Sequence, residues 1–302
     1  MSLCKLPLDL QQIICEYAIG ENGKDRFVCK ALLVNKTWAY FVCRVLYRHY
    51  RVKSYIGFLG FIKTVIGQDT FFRYGDFIRS IDLSPVNKYG VDPKAHRLMA
   101  RCPYIESVCL GHPTTLKTET IKKIAKYNTS LRSLSMGGIE SFPFMLECDF
   151  SGLLQLEHVT LTTTPLLPAS FMTLTNNITS LTLVHVETLT SDTLLAFCQS
   201  HSRLRSLVIE NCRALAPDLG RVLCQLIINR QDNPYYCHKL KNIELTGHCI
   251  DNEIVKTLFF EVPKGTRLDR LTLSNTLFTS IDLLKRANLK VTHFSEKKKK
   301  IT

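Results

Sequence analysis

The stretch Leu204-Arg205-Ser206-Leu207-Val208-Ile209-Glu210-Asn211-Cys212 decides the architecture. Apolar side chains stand at its first, fourth and sixth places. Between the last two, polar or smaller residues alternate with them, the period of a short strand that buries one face. The spacing L-x-x-L-x-L, with Ile, Val, Met or Phe admitted, recurs on both sides. Upstream it stands at Ile78/Ile81/Leu83, Ile105/Val108/Leu110, Leu131/Leu134/Met136, Leu156/Val159/Leu161 and Ile178/Leu181/Leu183. Downstream it stands at Leu240/Ile243/Leu245 and Leu268/Leu271/Leu273, with a degenerate ninth copy at Leu289/Thr292/Phe294. Successive first places are 27, 26, 25, 22, 26, 36, 28 and 21 residues apart, and the long step reads as an insertion around Gln231 to His238.

No such unit can bury its apolar face alone, so nine copies imply one continuous solenoid. The segments between strands fit returning helices at Asp192–Cys198, Pro217–Ile228, Glu253–Phe260 and Ile281–Arg286, with Ser191 and Asp251 as caps. Residues 137–155 and 162–177 are poorer in helix signal and predict short turns. The pattern resembles the leucine-rich-repeat family over residues 76–295. Many members carry Asn or Cys at the ninth place, where the side chain bonds the turn. Here only Cys212 fits; the others are Val86, Pro113, Ile139, Thr164, Val186, His248, Thr276 and Lys297.

The first fifty residues read differently. Leu6-Pro7-Leu8-Asp9-Leu10 opens a helix with Pro at its first position. Leu10, Ile13, Ile14 and Tyr17 make an apolar stripe, Gly20 to Asp25 breaks it, and Phe27, Ala31 and Val34 form a second short face. Trp38, the single tryptophan, leads a third segment with Phe41, Val42, Val45 and Leu46. Three short helices bury little core, so the module is expected to pack on something else. This stretch resembles an F-box: Leu6-Pro7-x-Asp9-Leu10, Ile14 and Tyr17 match its opening, and Leu33-Val34-Asn35-Lys36-Thr37-Trp38 matches its later Leu-Val-x-Lys-x-Trp element. Cys15 and Ala18 stand where the family often has Phe and Leu. An N-terminal helical cap for the solenoid is the plainer alternative.

The expected organisation is an α/β chain: a three-helix F-box over 1–50, a linker or cap over 51–75, a solenoid with a parallel concave sheet over 76–295, and a basic tail over 296–302. The resemblance implies a substrate-recognition subunit of a cullin-RING ubiquitin ligase. Leu6, Pro7, Leu10, Ile14, Leu33, Val34 and Trp38 would contact a Skp-type adaptor, and through it a cullin. The repeats would bind a protein substrate. The alternative is a repeat scaffold that binds protein or RNA outside any ligase.

On the concave face the third places read Ser80, Ser107, Ser133, His158, Ser180, Ser206, Asn242, Arg270 and Val291. The fifth read Asp82, Cys109, Ser135, Thr160, Thr182, Val208, Glu244, Thr272 and His293. Large polar groups gather late, at Arg205, Glu210, Lys241, Glu244, Asp269, Arg270, Lys290 and His293, the candidate substrate-binding set.

No catalytic constellation is visible: Gly20-Glu21-Asn22-Gly23-Lys24 lacks phosphate-loop spacing, and there is no G-x-S-x-G or H-E-x-x-H. Neither a cofactor nor a metal is expected; Cys237/His238 and His248/Cys249 read as ordinary core and surface residues. No apolar run is long enough for a membrane span, and the N-terminus has no secretory pattern. The 12 dispersed Cys then read as reduced thiols of a cytoplasmic or nuclear protein, in which the sequons at Asn35, Asn128 and Asn177 carry no sugar. Lys297 to Lys300 reads as a solvated charge run, a weak nuclear signal or a dilysine signal without a membrane.

The net charge is +13, unevenly spread. Residues 1–132 hold 21 Lys+Arg against 10 Asp+Glu, residues 133–202 hold none against 6, and residues 203–302 hold 18 against 10. Seventy residues without a cation argue against a continuous phosphate track and hence against a nucleic-acid partner. The basicity lies at the N-terminal module, at Lys117, Lys122, Lys123 and Lys126, and in the tail, predicting acidic contacts there.

Overall fold

A computed structural model describes residues 6–22, 25–68, 70–86, 91–110, 118–137, 145–228, 236–247, 252–274 and 287–297. Three helices come first: α1 (Leu8–Asn22), α2 (Asp25–Leu32) and α3 (Lys36–Arg48). Asn35 caps α3, its side-chain oxygen accepting the Trp38 backbone N–H at 2.9 Å. Pro7 sits just outside α1, where its carbonyl accepts the Gln11 N–H at 3.1 Å.

The chain runs from α3 directly into a ten-stranded, wholly parallel sheet whose spatial order is its sequence order. Its strands are β1 (His49–Arg51), β2 (Ser80–Asp82), β3 (Ser107–Cys109), β4 (Ser133–Gly137), β5 (His158–Thr162), β6 (Ser180–Val184), β7 (Ser206–Glu210), β8 (Asn242–Thr246), β9 (Arg267–Ser274) and β10 (Lys290–Lys297). Two expectations change at the ends. β1 pairs with β2 through Tyr50↔Ile81, so the sheet begins one strand earlier than the nine copies imply. The stretch expected as a linker or solenoid cap thus starts at the end of this strand, with Arg51 in β1 and Val52 fully buried in the common core. At the other end Val291, Phe294 and Glu296 pair with Leu268, Leu271 and Leu273. The ninth copy is thus displaced by two from Leu289/Thr292/Phe294. A shift of two keeps the same face inward, so alternation alone could not fix it. β10 also reaches Lys297, inside the expected tail; residues 298–302 lie outside the described residues.

The predicted inward residues of the first eight copies all lie in one core, which extends from Val52 to Leu289; Thr292 and Phe294 of the ninth copy are exposed instead. Behind the sheet lie α4 (Tyr55–Ile66), α5 (Val91–Arg101), α6 (Thr118–Tyr127), α7 (Pro168–Phe171), α8 (Ser191–Ser200), α9 (Leu219–Ile227) and α10 (Asn252–Lys256). No described helix is long and apolar enough to cross a membrane. A 3-10 segment, Arg213–Asp218, precedes α9, and α10 runs into a π-helical turn, Thr257–Glu261. The first overlaps the expected Pro217–Ile228 helix only at Pro217 and Asp218, and the second takes the end of the expected Glu253–Phe260 helix. Thr190, not Ser191, caps α8 by accepting the Thr193 N–H; Ser191 is buried and donates to the Leu215 carbonyl at 3.0 Å. Asp251 and Ile281–Arg286 lie outside the described residues. As expected, 162–177 holds one single-turn helix, α7, and Leu146 bridges Leu166 beside it.

The turns after β5, β6, β7 and β8 repeat one device. Thr163, His185 and Asn211 take left-handed φ of 46°, 50° and 51°, and Gly247 takes 90°. Their place is the eighth of each repeat. There the N–H reaches the next strand: Thr163 to Val184 O at 2.8 Å, His185 to Glu210 O at 2.8 Å and Asn211 to Thr246 O at 3.0 Å. At the ninth place Cys212 Sγ accepts the Val186 N–H at 3.4 Å, the expected turn bond. Thr164 does the equivalent, donating to Thr162 O at 3.0 Å, so Cys212 is not alone. Buried Asn128 donates to the carbonyls of Met99 and Cys102 at 3.2 and 2.7 Å, and this sequon amide ties α5 to α6.

Candidate functional sites

The N-terminal helices close a small core of Cys15, Ala31, Trp38, Phe41 and Val42. On α1 the inward row is Gln11 and Cys15, with Ile19 packed beside it. The stripe Leu10, Ile13, Ile14 and Tyr17 therefore faces solvent, Ile13 being 59% and Tyr17 64% exposed. Leu33, 85% exposed, and Val34 stand out at the turn between α2 and α3, fixed by Leu33 N–H to Lys30 O at 3.1 Å. Pro7 is exposed, and Leu6 is half-buried, its carbonyl accepting Gln11 Nε2 at 2.7 Å.

Trp38 is the exception among the seven candidate adaptor contacts. It is 7% exposed and donates its indole N–H to Gln11 Oε1 at 3.1 Å. Its place is thus in the module's core, holding α3 against α1 and leaving only an edge to solvent. Monomeric proteins rarely leave this much apolar surface in one small module. The α1 stripe and the Leu33–Val34 turn are the candidate docking surface.

On the sheet, the third-place column runs Ser80, Ser107, Ser133, His158, Ser180, Ser206, Asn242, Arg270 and then His293. His293 thus stands beside Arg270, not at the fifth place. Glu244 lies in the fifth column between Val208 and Thr272, and Glu210 pairs with Thr246 in the seventh. Lys290 pairs with Arg267, one step before the repeat begins, and so leaves the concave set. Arg205, Lys241 and Asp269 stand at second places along the rim where the strands start. The eight candidates thus divide between two neighbourhoods, four on the concave strands and four at the rim.

That rim has its own order. From Arg79 to Arg205, the carbonyl of each second residue accepts two N–H groups from the next repeat. Arg132 O takes those of Glu157 and His158 at 2.8 and 2.9 Å, and Arg205 O takes those of Lys241 and Asn242 at 2.9 and 3.0 Å. The side chains then stack by sign: Arg79 to Glu106 at 3.7 Å, Arg132 to Glu157 at 3.0 Å and Lys241 to Asp269 at 3.2 Å. These are exposed pairs, each worth about 0–1 kcal/mol. Between them Arg203, Arg205 and Lys239 border an open recess that sequence reading overlooked apart from Arg205.

Among the described residues no group of three His, Cys, Asp or Glu could hold a metal ion; His248 and Cys249 lie outside them. Burial pushes the thiols of Cys102, Cys148 and Cys224 up to about 12, which leaves them protonated and unreactive at neutral pH.

No family model matches the chain, and no curated protein matches it. Among solved structures the chain is similar to an internalin from Listeria monocytogenes, at 14% identity over 74% of this chain and 76% of that one, with a TM-score of 0.33. The solenoid assignment rests on the strand ladder itself: ten parallel strands in sequence order, of which β2 to β9 carry the same inward apolar pattern.

Proposed function

We propose that this chain is a non-catalytic substrate receptor of a cullin-RING ubiquitin ligase. Its N-terminal helices would dock on a Skp-type adaptor, and its solenoid would hold a protein substrate. One observation carries the reading: Leu10, Ile14, Leu33 and Val34, residues of the F-box-like motif, stand in solvent while the module's own core closes without them. Burying four such side chains contributes about 1.5–3 kcal/mol each. Association costs about 4–15 kcal/mol in lost freedom. The two totals are close, so one charge placed among the four should abolish binding. The direct run of α3 into β1 supports a receptor, since a docked module and the sheet would share one rigid connection.

In this reading the chain supplies no reacting group. It raises the effective concentration of a substrate lysine near a thioester formed elsewhere. The buried free thiols fit a reducing compartment, cytoplasm or nucleus. The test is co-elution of the purified chain with a Skp-type adaptor in size-exclusion chromatography. Wild type should co-elute and Leu33→Asp/Val34→Asp should not, with both chains equally folded by circular dichroism. A wild type that ignores the adaptor would leave a repeat scaffold that binds protein or RNA outside any ligase.

A further inference from the structure

The recess at the start of β4 to β8 gathers the cations Arg132, Arg203 and Arg205, which flank the cation-free segment 133–202, together with Lys239. Arg132 comes from one bank, and Arg203, Arg205 and Lys239 from the other. The opening is about 730 Å³, floored by His158, Asn177 and Thr179. Glu157 is the one acidic residue lining it, and Arg132 already engages that carboxylate at 3.0 Å. Arg203 is held in place: its guanidinium donates to Asn177 Oδ1, whose own amide donates to Leu154 O at 2.7 Å. That leaves Arg205 and Lys239 as positive groups with no carboxylate against them among the described residues, beside a third that is pre-positioned.

We propose that this recess binds a phosphoryl group. Convergent guanidinium and ammonium donors suit a compact, multiply charged oxyanion. A carboxylate would leave most of these donors unused. Strands in a sheet lie about 4.8 Å apart, and four steps separate β4 from β8, so the cations span about 19 Å along the rim. Beyond them the rim carries Glu106 on one side and Asp269 on the other, each already in an ion pair. That width takes a few phosphoryl groups at most and breaks off where a polynucleotide would continue. No aromatic side chain lines the recess, so it also lacks the stacking platforms that hold single-stranded bases. His158 stands at a third place, which joins the recess to the concave face. The phosphoryl group could therefore belong to a side chain of a protein lying across the strands or to a free small molecule. The proposal does not depend on the ligase reading, because the recess lies far along the chain from the N-terminal module.

The test uses the full chain and four probes in calorimetric titration: inorganic pyrophosphate, a degenerate phosphoserine peptide mixture, the same mixture unphosphorylated, and a single-stranded RNA oligonucleotide. Arg205→Gln/Lys239→Gln is compared with Lys122→Gln/Lys126→Gln, which removes the same charge from α6. The expected result is binding of a phosphorylated probe, weakened at least tenfold in the first variant and unchanged in the second. Saturation by peptide with competition from pyrophosphate identifies a phosphorylated protein as the source; binding of pyrophosphate alone identifies a small molecule. Equal binding of both peptide mixtures overturns the proposal. So do equal losses in the two variants, and so does tighter binding of single-stranded RNA through the same residues.

Discussion

Trp38 donates its indole N–H to Gln11 Oε1 at 3.1 Å, and the same amide donates from Nε2 to Leu6 O at 2.7 Å. One buried glutamine thus satisfies the only tryptophan and pins the chain entry to α1. Gln11→Ala should leave a buried indole N–H unpaired, at a cost of about 1–3 kcal/mol. Because Trp38 is the sole tryptophan, intrinsic fluorescence reports this site alone. A red-shifted native emission and a lower midpoint of urea unfolding are expected. An unchanged spectrum and midpoint would mean that the amide does not matter.

The turn after β7 depends on Cys212. Its sulfur accepts the Val186 N–H at 3.4 Å, and Cys212→Ala removes that acceptor inside the core. A loss of about 1–3 kcal/mol is expected, with Cys212→Ser recovering part of it. Faster amide exchange at Val186 in the Ala variant is the local readout.

Gly247 takes φ +90° at the eighth place, and an added Cβ would run into the Asn211 side chain. Gly247→Ala should therefore destabilise by more than the ~1 kcal/mol typical of a mild substitution. Thermal unfolding checks this. A neutral result would show that the turn can relax.

His201 is buried against Phe197, its ring 3.7 Å from that ring's centroid and its Nε2 3.0 Å from Leu174 O. Burial lowers its pKa below the ordinary value, partly offset by the carbonyls of Phe197, Leu174 and Thr175. The unfolded chain therefore binds the proton more readily than the folded one. The corresponding stability is present above the unfolded value of about 6.5 and is lost as pH falls through that value toward the lower folded one. Urea midpoints measured from pH 7.5 to 5 should fall more for wild type than for His201→Phe. Parallel curves would contradict the assignment.

The solenoid was legible in the sequence because Leu207, Ile209 and their equivalents must alternate to bury one face, and a slip by one would expose them all. Its ends were not. Tyr50 belongs to a strand hidden behind the F-box-like motif, with Val52 just past its end, and a register shift of two at Val291 leaves the alternation intact. The N-terminal site was half legible. The stripe Leu10, Ile13, Ile14 and Tyr17 is visible by spacing, but spacing cannot say whether a stripe faces the core or a partner. Gln11 and Cys15 take the inward row instead. The rim recess escaped notice because Arg132, Arg203 and Lys239 are distant in sequence and meet only through the sheet.

The central claim is that the outward stripe of α1, not the buried Trp38, carries adaptor binding. The most direct measurement is the affinity of the full chain for a purified Skp-type adaptor, comparing wild type with Ile14→Asp and Gln11→Ala. Ile14→Asp should lose binding at least a hundredfold while keeping the wild-type unfolding midpoint. Gln11→Ala should lower the midpoint and retain most of the affinity where it remains folded. Undiminished binding by a folded Ile14→Asp chain, or no binding by wild type, would contradict the account.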